Sequence, residues 1–259
     1  MIEDLLALPT IVGFIIVVGL TVTLGMTTYV VSYKLIAARY RTEEMKDAAS
    51  SMFRVVGMLV SLFLSLTFAD VLFEQNAIQT AVQGEASAIT DTYIDLFHFG
   101  AEETGEVRSL LQSYAQSVID DDWPALANDE LADRTTTLLR QLETAALNLK
   151  ANNAIEEKMW TRIIASIDLI SDFRISRLQQ ALARPPFFLI VVLFGFFVTM
   201  VCFGLYKPLG PIVVLVTLYI FFVGLVVYLI LAFSDPFQGV PGVDTAPLDF
   251  TIEKMRQYQ

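Results

Sequence analysis

Four stretches of the chain run without a charged residue: Leu5–Val31, Val55–Ala69, Pro186–Tyr206 and Leu209–Ser234. A hydrocarbon core about 30 Å thick needs roughly 20 apolar residues of helix, and only a helix or a closed barrel satisfies its own backbone there. Three stretches meet that length outright; the second meets it as Ser51–Phe73, with Arg54 and Asp70 near its ends. The pattern predicts an all-α, multi-pass membrane protein with four transmembrane helices in two hairpins. Residues 1–73 hold the first two, and residues 185–234 hold the third and fourth. Residues 74–184 form a helical extramembrane domain inserted between spans 2 and 3, and residues 235–259 form a C-terminal turn and tail. The acidic opening, Met1-Ile2-Glu3-Asp4, and the length of the apolar run after it point to an anchor rather than a signal peptide.

Nothing breaks the helix where span 2 leaves the apolar stretch. "ADVLFEQNAIQTAVQGEASAITDTYIDL" has no proline and one glycine, so a single helix is expected to run on to about Leu96, with Gly100 and Gly105 marking the turn after it. Three more amphipathic segments follow. The segment 107–119 places Val107, Leu110, Leu111, Tyr114 and Val118 on one stripe, and 129–150 repeats the pattern with Leu131, Leu138, Leu142 and Leu149. The segment 155–183 carries Met159, Trp160, Ile163, Ile167, Ile170 and Leu178. Pro185-Pro186 ends it where span 3 begins, and "YKPLGP" turns span 3 into span 4. "FSDPFQGVPGVDTAPLDF" at 233–250, with three prolines, stops span 4. No strand-like alternation occurs.

Composition agrees with this reading: 55% of residues are hydrophobic and 19 are Phe. Between Glu74 and Arg184 stand 18 acidic and 9 basic residues, a net charge of −9. That balance excludes a nucleic-acid-binding insert and disfavours contact of the insert with anionic lipid surfaces. It suits a solvated domain able to dock a protein partner. The short loops hold Lys34, Arg39, Arg41, Lys46, Arg54 and Lys207, against Arg174, Arg177 and Arg184 on the insert side. This bias predicts cytoplasmic short loops and an insert on the non-cytoplasmic side.

Candidate chemistry is sparse. One Cys (Cys202) and one His (His98) cannot build a zinc site, and no phosphate loop, nucleophile elbow or zincin motif is present. No catalytic residue, metal or cofactor is expected, and the chain reads as a non-enzyme. Asp120-Asp121-Asp122 reads as a solvated, acidic helix end. Span 2 is more informative. Gly57, Ser61 and Ser65 fall at i, i+4 and i+8, a small-residue row that lets another helix approach closely. The same face carries Arg54, Met58, Phe68 and Leu72. Either it packs dry against a helix, or several copies turn it toward a shared axis. In the second case serines line a wet path with Phe68 and Leu72 as a constriction.

"EASAITDTYIDL" at 85–96, "YAQSVIDDDWPAL" at 114–126, "FRISRLQQALARPP" at 173–186 and "DPFQG" at 235–239 occur in that order around the inserted domain. With the two-plus-two arrangement of spans, they resemble the bestrophin-like family of bacterial membrane proteins, itself of unknown function. The resemblance implies residence in a bacterial inner membrane and makes Glu85, Tyr114, Trp123, Arg174, Arg177, Asp235, Pro236, Phe237 and Gly239 family-typical structural positions. Many relatives carry a basic residue between the Asp and Pro of the last motif, and this chain has none. In the final turn, Phe237 is placed to tuck against neighbouring structure and Asp235 to pair with Arg174 or Arg177. True bestrophins are oligomeric channels, usually pentamers, whose second span lines the pore and whose helical domain is cytoplasmic. The similarity therefore implies a homo-oligomer passing inorganic ions, and a sidedness opposite to the charge count. The alternative expectation is a non-conducting scaffold or auxiliary subunit whose helical domain docks partners.

Overall fold

A computed structural model describes residues 10–36, 38–100, 103–128, 130–181, 188–234, 236–237 and 242–258. Among them no strand occurs. The helices are α1 (Thr10–Leu35), α2 (Glu43–Phe99), α3 (Gly105–Ser117), a π-helical segment (Val118–Asp122), α4 (Trp123–Leu126), α5 (Asp133–Leu147), α6 (Ala154–Ala181), α7 (Phe188–Phe203), α8 (Gly210–Phe233) and α9 (Ala246–Arg256). The chain divides into two units: residues 1–73, 184–235 and 239–241 make the first, and residues 74–183, 236–238 and 242–259 the second.

In the first unit, α1, the leading part of α2, α7 and α8 share an apolar core that includes Val17, Tyr29, Val60, Leu64, Phe196, Met200, Ile220 and Val227. Side-chain bulk alone does not explain their closeness. A β-carbon on Gly25 would lie 2.9 Å from Ile220, and one on Gly195 would lie 2.3 Å from Val60. Glycine at these crossings lets backbones approach as they do in membrane bundles. The threonine hydroxyls are satisfied locally: Thr21, Thr67 and Thr217 each donate at 2.8 Å to the carbonyl four residues earlier. The outside of the unit is apolar too, with Ile15, Leu24, Phe194, Leu215 and Phe222 exposed. An apolar exterior around a helical core is what lipid solvation requires.

α1, α2 and α8 are long and apolar enough to cross a membrane. Where a third span was expected stands a shorter apolar helix, α7, of 16 residues. Its proline-containing approach, with Arg184, Pro185 and Pro186, lies outside the described residues, as do Asp235 and Gly239 of the final turn.

The second unit gathers Glu74–Phe99 of α2, α3 to α6, and α9 around Ile89, Leu96, Leu111, Tyr114, Leu142, Ile163 and Ile170. α2 is one helix of 57 residues, about 85 Å at 1.5 Å per residue. It ends at Gly100, whose φ of +156° only glycine adopts readily, and the Thr104 hydroxyl donates to the Leu96 and Gly100 carbonyls at 2.9 and 2.7 Å. The insert helices stand close to the expected segments. Leu131, however, precedes α5 and is exposed, while Leu139 takes an inward position.

The C-terminal residues depart from expectation: 246–256 are not a tail but α9. Pro247 sits in its first turn, where a missing N–H costs nothing. Leu248, Thr251 and Met255 are buried, and Thr251 donates to the Ala86 carbonyl at 3.0 Å. The prolines that stop span 4 hid a short amphipathic helix.

Crowding differs sharply between two glycines of the second unit. A β-carbon on Gly84 would lie 2.5 Å from the Phe173 ring, whereas one on Gly105 would meet no atom within 4 Å. Gly84→Ala should lower stability by about 1–3 kcal/mol, while Gly105→Ala should change it by less than about 0.5 kcal/mol. Thermal unfolding of the detergent-solubilised variants, followed by circular dichroism, checks this; equal shifts would contradict the packing described.

Candidate functional site

Two constellations carry the sequence-derived site residues. The first is a buried charge network in the second unit, built from α2, α3, the π-helical segment and α6. Glu85 and Arg177 are fully buried, and the Arg177 Nε donates to Glu85 Oε2 at 2.9 Å. The same guanidinium reaches Asp122 Oδ2 at 3.0 Å. One turn earlier on α6, Arg174 donates to both Asp122 oxygens, at 3.1 and 3.2 Å, and to the Thr136 hydroxyl at 3.1 Å. The Tyr114 hydroxyl donates to Glu85 Oε1 at 2.6 Å. Two carboxylates and two guanidinia thus cancel in formal charge inside an apolar core, which is the condition for burying them at all.

Their surroundings fix their protonation. Burial works against the Arg177 cation, but the charges of Glu85 and Asp122 more than offset it and hold the guanidinium above its usual range. Tyr114 is pushed well above the ordinary tyrosine range, first by burial and then by the Glu85 charge. It remains a neutral donor. Trp123 lies 5.9 Å from the Arg177 guanidinium carbon, and its ring meets that of Phe237 edge-on at 5.1 Å. The turn residue Phe237 is therefore seated on the second unit beside the network, with Pro236 buried next to it.

Six of the nine family-typical residues thus converge on one place, Pro236 lies next to it, and Asp235 and Gly239 are outside the described residues. Among the described residues Arg174 and Arg177 share Asp122, one of the three aspartates expected to lie in solvent. Asp122 lies in the π-helical segment, four residues beyond the buried Val118 and eight beyond the buried Tyr114, and is 1% exposed, while Asp120, on the other side of the helix, stays exposed. Arginines three apart on one helix, both facing a core, were the available signal that carboxylates must meet them.

The second constellation is on the leading part of α2. At about 100° per residue, Arg54, Met58, Ser61, Ser65 and Leu72 fall within about 40° either side of one line along the helix. The buried residues Val60, Leu64, Thr67 and Val71 occupy a separate face. Arg54, Met58, Ser61 and Ser65 are exposed, and a β-carbon on Gly57 would meet nothing within 4 Å. Among the described residues no helix of the same chain covers this row. Phe68 is at its edge and turns toward the core, edge-on to Phe233 at 5.9 Å, while Leu72 is half-buried. Beyond the row a third face of Val55, Leu59, Leu62, Leu66 and Phe73 is apolar and exposed.

The family model described as bestrophin-like domain matches residues 19–248. That range includes every candidate position above. No curated protein and no solved structure matches the chain.

Removing one side of the network should be costly. Arg177→Met leaves Glu85 buried without its cation and should destabilise by about 3–5 kcal/mol. Tyr114→Phe should lose about 1–3 kcal/mol. Because the folded-state pKa of Tyr114 is raised above the unfolded value of about 10, its contribution is constant below pH 10 and is lost as pH rises beyond it. The stability difference between the wild type and Tyr114→Phe, measured by chemical unfolding across pH 7 to about 11, should therefore shrink at the alkaline end. A gap that stays constant would contradict the burial assigned to this hydroxyl.

Proposed function

The chain belongs to the bestrophin-like family, and on that premise we propose that it is a four-span homo-oligomer in which the Arg54–Leu72 row of α2 lines an ion-conducting path. The observation that carries this reading is the open row itself. Gly57, Ser61 and Ser65 leave a smooth polar strip that no helix among the described residues covers. Hydroxyl-bearing faces within a membrane turn toward water or toward other helices, and Arg54, near the end of the span, extends the polar strip to the interface. Several copies around an axis supply both: the polar strip meets the water-filled centre, and the neighbouring Val55–Phe73 face packs on the next copy. One copy, with four spans, cannot enclose such a path.

The third span in this reading is α7, about 24 Å long by itself, a length that slight bilayer thinning accommodates. Leu72, with Phe68 on its flank, forms the apolar constriction. Because Phe68 is held edge-on by Phe233, it buttresses the constriction rather than swinging freely. Leu72 and Glu85 lie on the same unbroken helix, so a change in the charge network has a direct mechanical route to the constriction. Arg54 is the row's single cation and favours anions at its level.

Planar-bilayer recording of purified protein tests the reading. The wild type should conduct, Ser61→Leu and Ser65→Leu should bring the current to near background, and Leu72→Ala should raise it, all at unchanged oligomer mass in detergent. A silent wild type whose oligomer falls apart in Ser61→Leu would instead support the scaffold, with the row packed dry. A monomeric wild type would overturn both.

A further inference from the structure

In the first unit, at the loop between α1 and α2, lies a hollow of about 640 Å³. Leu35 and Ile36 line it from the end of α1, Met45, Ala48 and Met52 from α2, and Leu205 from just after α7. A second hollow of about 280 Å³ adjoins it through Ala49 and Cys202. The alanines leave the space by presenting only methyl groups where larger side chains would fill it. The volume is that of a site for a sizeable ligand, and the lining is almost wholly apolar.

The rim differs from the wall. Of the cations in this loop, Arg41 is already engaged. Its guanidinium donates to the carbonyls of Tyr33 and Ile36, closing the end of α1, and lies 3.8 Å over the Tyr33 ring. Lys46 is paired with Glu43 at 2.6 Å. Arg39, which lines the hollow, has no acidic partner among the described residues; its Nη2 donates to the Tyr40 hydroxyl at 2.8 Å, and both side chains are exposed. Lys34 is exposed in the last turn of α1. An apolar slot ends, then, at an exposed guanidinium, a phenol and an ammonium, just where an apolar helix gives way to polar residues.

We propose that this groove holds an acyl chain of an anionic phospholipid whose phosphate is bound by Arg39, with Lys34 adding charge. The occupant follows from the two ends of the site. Its wall takes hydrocarbon, and the planar fork of an arginine matches phosphate oxygens in pairs. Interfacial basic residues also select anionic headgroups by charge. The acidic balance of residues 74–184 does not oppose this, because the rim belongs to the first unit. The proposal rests on the first unit being embedded in lipid.

Native mass spectrometry of the detergent-solubilised oligomer, with added phosphatidylglycerol or phosphatidylcholine, tests it. The wild type should retain phosphatidylglycerol and release phosphatidylcholine. Arg39→Glu should lose phosphatidylglycerol, Arg39→Lys, which keeps the charge but not the paired contacts, should retain it more weakly than the wild type, and Ala48→Phe, which fills the groove from an exposed position, should lose it while melting at the wild-type temperature. Equal retention of both lipids, or retention of phosphatidylglycerol by Arg39→Glu and Ala48→Phe, would overturn the site. So would an absence of lipid together with an oligomer mass that changes in Ala48→Phe, which would put a second copy of the chain in the groove. A chain that proves soluble without detergent would overturn the membrane reading itself, a separate outcome from any of these.

Discussion

A helix that crosses hydrocarbon leaves hydroxyls facing lipid tails only at a cost, and among the described residues no helix of the same chain lies over Ser61 and Ser65 of α2. This constraint organises the rest. One face of α2 is buried by Val60, Leu64, Thr67 and Val71, the second carries Arg54, Ser61 and Ser65 in the open, and the third is apolar and exposed. Three faces with three kinds of surface call for three kinds of neighbour: the same chain, water, and another copy or lipid. A lone amphipathic helix needs only two. The uncovered row therefore argues for assembly before any statement about conduction is made.

The second unit poses the opposite problem, since its charges are inside. Glu85, Asp122, Arg174 and Arg177 are stabilised only as a set, each leaving an uncompensated partner if removed. Such a set tolerates one arrangement of α2, α3 and α6, because a slip of either arginine by one residue would turn it away from both carboxylates. Asp122 joins this set from the π-helical segment, four residues beyond the buried Val118. α9 and Phe237 then cover the same unit from the C-terminal side.

Much of this was legible in residue patterns, and the failures have physical causes. Uncharged length identified α1, α2 and α8 because burial in lipid demands it, and three-and-four spacing found α3, α5 and α6. The continuity of α2 through Glu74 was readable from the lack of any proline. α9 was missed because Pro236, Pro241 and Pro247 mark a stop as readily as a start, and only packing of Leu248 and Met255 tells the two apart. Asp122 was missed because three consecutive aspartates read together as a solvated helix end, although Asp122 stands four residues beyond Val118 of the buried stripe.

The central claim is that the Arg54–Leu72 row meets water while the face beside it does not. In a Cys202→Ala background, Met58→Cys, Ser61→Cys and Ser65→Cys can be compared with Leu59→Cys, Leu62→Cys and Leu66→Cys after reconstitution into sealed vesicles. Reaction with a membrane-impermeant thiol reagent, applied to both surfaces, should be rapid at the first three positions and negligible at the others. Negligible reaction at all six, or equal reaction on both faces, would contradict the account.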